Sequence, residues 1–126
     1  MIAGVGTDIV EVARLERALA CHGERLARRV LAATEREAFR AAGGTAAFLA
    51  RRFAAKEAAA KALGTGLGRG VTLRDLEVCH DAWGKPGLRL HRQAEARAAS
   101  LGVARVEISL SDERAYAVAF VVMATG

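Results

Sequence analysis

Residues 45–63 limit the possible folds more than any other part of the chain. The stretch is dominated by Ala, the strongest helix former, and Gly64 stops it, so it predicts one long helix. Phe48, Leu49 and Phe53 fall on several sides of that helix. A fully exposed face is therefore hard to accommodate, and the helix belongs at the centre of the fold. Ala also supplies much of the 52% hydrophobic content, while aromatic residues make up only 5%. Such a core brings backbones close together but buries little area per side chain. Contacts between subunits are expected to supply part of the stability.

Residues 2–12 are apolar and β-branched with small residues interleaved, and read as a strand. Alternation puts Ile2, Gly4, Gly6, Asp8, Val10 and Val12 on one side, so Asp8 stands on an otherwise apolar face beside two glycines that leave space. Residues 11–30 are rich in Ala, Leu and Arg with helical spacing, broken near His22-Gly23. Thr34 and Glu37 form a capping box for a further helix that closes at Gly43-Gly44. After the long helix, residues 64–70 hold four glycines in seven positions and read as a loop. Residues 76–79 and 88–90 read as short strands about a turn at 81–86, and residues 93–100 as a helix. Val106, Ile108 and Leu110 alternate with polar residues, residues 111–114 turn, and residues 116–123 return as a nearly continuous apolar strand. That continuity predicts burial on both faces. The class is α+β: one domain over residues 1–126, antiparallel strands packed with a long central helix and shorter helices.

The opening residues include Asp8 and Glu11 and show no basic region or small-residue cleavage site, so no export signal is read there. No apolar run approaches the roughly 20 residues of a membrane span. Cys21 and Cys79 lie far apart, in no metal-like spacing, and read as reduced thiols. The expected setting is the cytoplasm. The 19 basic and 14 acidic residues give a net charge of +5 and a pI near 10.0. This balance predicts an acidic partner, which could be nucleic acid, a membrane surface, an anionic cofactor or an acidic protein.

The candidate chemistry lies in Arg52-Phe53-Ala54-Ala55-Lys56-Glu57-Ala58-Ala59-Ala60-Lys61-Ala62-Leu63-Gly64-Thr65-Gly66. Arg52 and Lys56 share one row of the helix, and Glu57 and Lys61 a neighbouring row. The plain reading is a solvated face with a Glu-Lys pair worth about 0.2–0.5 kcal/mol. Three features weigh against it. Apolar residues crowd several sides of the helix, the cations lead straight into a Gly-rich loop suited to phosphate oxygens, and Asp8 supplies a second isolated carboxylate. Mg²⁺ takes one or two protein carboxylates and fills its shell with water and substrate phosphate. Asp8 and Glu57 suit that role, with Arg52, Lys56 and Lys61 neutralising phosphates. Asp8 with Glu11 equally fits a helix capping box. The loop lacks the Lys-Ser/Thr ending of a Walker motif, so ordinary nucleotide hydrolysis is not indicated.

These residues resemble a known family. Gly6-Thr7-Asp8-Ile9-Val10-Glu11-Val12-Ala13-Arg14 is similar to the first signature of the holo-acyl-carrier-protein synthases, and residues 52–66 to the second. Gly84-Lys85-Pro86 and the terminal hairpin also fit, so the resemblance covers essentially the whole chain. It implies a Mg²⁺-dependent transfer of 4′-phosphopantetheine from coenzyme A to a serine of apo-acyl carrier protein, releasing 3′,5′-ADP, in fatty acid biosynthesis. It implies Asp8 and Glu57 as metal ligands, and Glu57 and Lys61 as catalytic residues. Lys61, Gly64, Thr65 and Gly66 would lie near the coenzyme A phosphates, with Arg52, Lys85 and Pro86 also in the coenzyme site. Arg14 would meet acidic groups of the carrier, and Arg25 belongs to the same basic surface. The family's members are usually homotrimers with shared active sites. In many of them a His follows the penultimate strand; here Asp112 takes that place, and an ionised carboxylate cannot donate to phosphate.

The remaining candidates read plainly. His22, His80 and His91 share no ligand spacing, and Trp83 is expected to lie as a lid over local apolar surface. Arg14, Arg17, Arg25, Arg28 and Arg29 form either a solvated helix surface or a docking face for an acidic partner. A basic nucleic-acid-binding module would account for the charge, but aromatics are few and no RNP, KH or zinc-finger pattern occurs. A purely structural oligomer would account for the Ala-rich core and leave Asp8 beside glycine unexplained.

Overall fold

The computed structural model describes residues 1–126. The predicted central helix is α4, Ala46–Ala62, and Thr45 caps it by accepting a hydrogen bond from the Phe48 amide at 3.2 Å. Before it come β1 (Ile2–Glu11), α1 (Val12–His22), α2 (Glu24–Val30) and α3 (Ala33–Ala41). After it come β2 (Leu76–His80), β3 (Pro86–Leu90), α5 (Arg92–Ser100), β4 (Val103–Asp112) and β5 (Tyr116–Thr125). Two antiparallel sheets form, one in the order β1-β5-β4 and one pairing β2 with β3. Helix α4 lies across β1 and β5 and also meets β2, which explains why apolar residues occupy several of its sides.

Small side chains make this packing possible. Ala54, Ala55, Ala58, Ala59, Ala60 and Ala62 are all buried. Gly4 and Gly6 face the helix so closely that a Cβ on either would collide with the carbonyl oxygens of Ala62 and Ala58. The period-two alternation of β1 holds: Gly6 and Val10 are buried, Asp8 is half-buried, and Val5 and Ile9 face outward.

The structure corrects several sequence expectations. Helix α3 starts at Ala33, and Glu35, not Glu37, accepts from the Ala32 amide at 3.0 Å. A single 3₁₀ turn at Leu73–Asp75 had no counterpart in the sequence reading; its cap is the Thr72 amide donating to Asp75 Oδ2 at 3.1 Å. Strand β5 is buried on one face only, because α4 covers one side of the sheet. On the other side Phe120 is 47% and Ile9 63% exposed, next to Val5, Tyr116 and Val118. Trp83 is no lid: it is 95% exposed on the β2–β3 turn. Asp81 Oδ1 rigidifies that turn by accepting from the amides of Trp83 at 2.8 Å and Lys85 at 2.9 Å.

Glu77 joins three elements. It accepts from the Thr34 hydroxyl of α3 at 2.6 Å, and His91 Nε2, at the start of α5, lies 2.8 Å from its other oxygen. The Thr34 bond, then the His91 bond, hold its carboxyl below the ordinary glutamate range. A depressed folded value means stabilisation that is present above the unfolded pKa and is lost as pH falls through the folded one. The urea midpoint of the wild type is expected to fall between about pH 6 and about pH 3, and to fall less in Glu77→Gln. Parallel curves for the two proteins would show that this contact carries no acid sensitivity.

Candidate active site at the end of helix α4

Strand β1 and the last turns of α4 bring Asp8, Glu57 and Lys61 together. Lys61 Nζ donates to Asp8 Oδ1 at 3.1 Å and to the Thr7 carbonyl at 2.9 Å. An ammonium has three donors, so one is left, and the side chain is half exposed. Glu57's carboxyl is pushed above the ordinary range, first by burial and then by the negative charge of Asp8, while Lys61 and Arg14 pull it back. Two carboxylates from separate elements thus repel each other across one small site. The capping alternative for Asp8 is overturned: Asp8 pairs with Ala119 inside the sheet, and Glu11 occupies the N-cap of α1 without a side-chain cap bond.

No group of three His, Cys, Asp or Glu side chains gathers anywhere in the chain. A closed all-protein metal cage is therefore absent. A carboxylate pair in which Asp8 helps raise the proton affinity of Glu57, open to solvent and beside a cation, fits a hard cation that completes its shell with water and phosphate.

The loop that follows is built to meet anions. Gly64 (φ 78°) and Gly66 (φ 59°) take left-handed backbone, and their amides donate back to the carbonyls of Lys61 and Ala60, closing the helix end. The amides of Thr65, Leu67, Gly68, Arg69 and Gly70 have no acceptor within the chain. Free amides on a Gly-rich turn are donors for phosphate oxygens.

Arg52 and Lys56 do not join this site, contrary to the reading that set them against phosphates. Lys56 is 0% exposed, with Nζ 2.6 Å from Glu35 Oε1 and 2.9 Å from the Leu73 carbonyl. Arg52 Nη1 donates to Glu35 Oε2 at 3.2 Å and to the Val78 carbonyl at 3.1 Å, with the guanidinium over the Phe48 ring. Helical spacing shows which side chains share a row, not whether that row faces water. Burial pulls the Lys56 pKa below its ordinary value, with Glu35 acting against it. Glu35, which the sequence reading passed over, thus anchors both cations and accepts from the Val78 amide at 3.3 Å. No sequence signal marked it, because its partners lie on other elements.

The other expected residues fall at separate places. Arg14 lies over the Phe53 ring on the α1 side of Glu57. Arg25 lines a shallow surface hollow with His22, Leu26 and Arg29. Lys85 and Pro86 belong to the β2–β3 hairpin, where Lys85 Nζ lies 3.4 Å from Glu107. Asp112 ends β4 and pairs with Arg51 of α4 at 3.7 Å, so it ties strand to helix.

Comparison with known proteins bears directly on this geometry. A holo-[acyl-carrier-protein] synthase of Halorhodospira halophila is 68% identical over 126 residues, covering 100% of both chains. The crystal structure of the Neisseria meningitidis holo-[acyl-carrier-protein] synthase superposes with a TM-score of 0.93 at 42% identity, covering 99% of this chain and 100% of that one. The Bacillus anthracis synthase, solved in complex with CoA (3′,5′-ADP), gives a TM-score of 0.83 at 36% identity, over 100% and 99% of the two chains. The model of the 4′-phosphopantetheinyl transferase superfamily matches residues 4–121, and with fold and sequence in agreement over nearly the whole length, the chain belongs to that superfamily.

Proposed function

We propose that the protein is a holo-acyl-carrier-protein synthase that moves 4′-phosphopantetheine from coenzyme A to a serine of apo-acyl carrier protein, a step of fatty acid biosynthesis. The observation that carries this reading is the Asp8–Glu57–Lys61 cluster opening onto a loop with free amides. The serine oxygen forms a bond to the phosphorus nearer pantetheine, the bond from that phosphorus to the bridging oxygen breaks, and 3′,5′-ADP leaves. Transfers of this kind depend on positioning and on neutralising charge at the phosphate oxygens. Lys61 offers its spare donor there, and the loop amides offer theirs. Glu57, with its raised proton affinity, takes the serine proton directly or through a water. Mg²⁺ held by Asp8 and Glu57 would add charge neutralisation on the pyrophosphate.

The direct test is to incubate the protein with coenzyme A, Mg²⁺ and apo-carrier protein and weigh the carrier. A phosphopantetheine increment is expected; an unmodified carrier would refute the reading.

Arg14 stands next to Glu57, so a carrier gripped there delivers its serine to the acidic site. Arg14→Glu is expected to raise KM for the carrier about tenfold or more while KM for coenzyme A changes little. Added salt should weaken carrier binding in the wild type, since exposed charges are screened over about 8 to 10 Å. Equal effects on both substrates would return Arg14 to an ordinary surface role.

The exposed apolar sheet face supports assembly into a homotrimer, the number coming from the family resemblance. The same resemblance implies active sites shared between neighbouring subunits, with Lys85 and Pro86 in the coenzyme site. Light scattering is expected to report a trimer, and Phe120→Asp to yield inactive monomer; a fully active wild-type monomer would end the shared-site picture. The two free cysteines agree with a cytoplasmic setting, and no helix is long and apolar enough to cross a membrane.

A further inference from the structure

The chain has a single tryptophan, Trp83, and it is more exposed than any other large apolar side chain. An indole offers about 150–250 Å² to bury, so leaving it in water forgoes a large apolar gain. The turn that carries it is rigid. Besides the two amides that donate to Asp81 Oδ1, the Asp81 amide donates to the Lys85 carbonyl and the Gly84 amide to the Asp81 carbonyl, both at 3.0 Å. The backbone under the indole is therefore already ordered, and little further entropy is lost when the side chain meets a surface. A large aromatic on a preset turn is the make-up of an interface hot spot.

The turn stands at the rim of the open sheet face. Lys85 Nζ lies 3.4 Å from Glu107 Oε1 of β4. Glu107 is opposite Val122 of β5, and period-two alternation puts both on the face that carries Val118 and Phe120. Ile108, Ala119 and Val121 alternate to the other face and are buried there. The Trp83 turn thus adjoins the exposed apolar surface of Val5, Ile9, Tyr116, Val118 and Phe120. The cations suited to an acidic partner are elsewhere: Arg14, Arg17, Arg25, Arg28 and Arg29 belong to α1 and α2, which pack against α4. Trp83 and the sheet face call for an apolar partner surface, and a second copy of this chain brings one. A closed ring of identical chains needs two different patches on each, joined head to tail. The sheet face is one such patch, and the Trp83 turn at its rim supplies the other. We infer that Trp83 is the anchor by which each chain grips the next, with its indole seated on the apolar surface of the neighbouring copy. The inference rests on the assembly reading above and names the side chain that fastens it.

Because Trp83 is the sole tryptophan, the tryptophan emission of the unlabelled wild type reports on it alone. The protein is measured without coenzyme A or carrier, over a concentration series followed in parallel by light scattering. In the assembled protein the emission is expected to be blue-shifted and several-fold less quenched by acrylamide than in the dissociated chain. Dilution until the assembly falls apart should return red, readily quenched emission, and Phe120→Asp should show the same without dilution. Trp83→Ala should raise the concentration at which the assembly dissociates about tenfold or more, as removal of an interface aromatic does. A fully quenchable tryptophan in the assembled protein overturns the inference, and so does a Trp83→Ala assembly as stable as the wild type. Shielding that appears only when apo-carrier or coenzyme A is added also overturns it, since the turn would then serve a substrate. Failure of the assembly reading itself looks different: the wild type would scatter as a monomer at every concentration, and this inference would fall with it.

Discussion

Asp8→Asn and Glu57→Gln are each expected to lower turnover about 100-fold or more while leaving the fold nearly intact. Each change keeps side-chain size and removes one negative charge, so lost packing cannot account for the result. Asp8→Asn also weakens the contact with Lys61, but that pair is partly solvated and contributes below about 1 kcal/mol. A Mg²⁺ titration gives the deciding measurement. If both carboxylates hold the metal, each variant needs far more Mg²⁺ or never recovers at saturation. Near-normal turnover with an unchanged Mg²⁺ requirement in Asp8→Asn would leave Asp8 as a partner for Lys61 alone. The structure has already removed the competing explanation, since Asp8 caps no helix.

The largest expected effect on stability is at Glu35. Its carboxylate is the acceptor for Lys56 Nζ, Arg52 Nη1 and the Val78 amide, and the Lys56 and Glu35 side chains are almost wholly shielded from water. Glu35→Ala leaves two buried cations facing each other without a counter-ion. The expected loss is about 3–5 kcal/mol, a large part of the stability of a small domain. Lys56→Met should cost less than half as much, because Glu35 keeps Arg52 and the Val78 and Ala32 amides, although its Oε1 and the Leu73 carbonyl both lose the Lys56 donor. Denaturant midpoints at constant m-value test the pair. Equal losses in the two variants would show that the carboxylate is not the hub of the network.

That hub also matters for the site. Glu35 sits on α3, Lys56 and Arg52 on α4, and Val78 on β2, so the network fixes the rotation of α4 about its axis. Glu57 follows Lys56 directly along the helix. With Lys56 locked inward, Glu57 is turned toward Asp8 and Arg14, where burial and charge raise its proton affinity. The buried cation and the acidic site are thus two consequences of a single helix orientation.

Much of this protein follows from local sequence rules. The Ala-rich run had to be a helix, and its apolar residues on several sides had to place it centrally. Period-two alternation put Asp8 on the inner face of β1 with Gly4 and Gly6, and helical spacing put Glu57 and Lys61 on one row. The family signatures named the chemistry those residues could perform. Other features depended on partners distant in sequence. Arg52 and Lys56 read as solvent-facing cations until α3 brought Glu35 beneath them, and the identical row of charges satisfies either environment locally. The apolar run of β5 predicted cover on both faces, but one chain supplies a single helix to one of them. Asp8 suited a cap or a metal equally well in sequence, and only the continuation of β1 to Glu11 removed the cap. In each case local patterning specifies the element and which way its side chains alternate. What those side chains meet is decided by packing between elements, where burial energy and the pairing of buried charge select one arrangement.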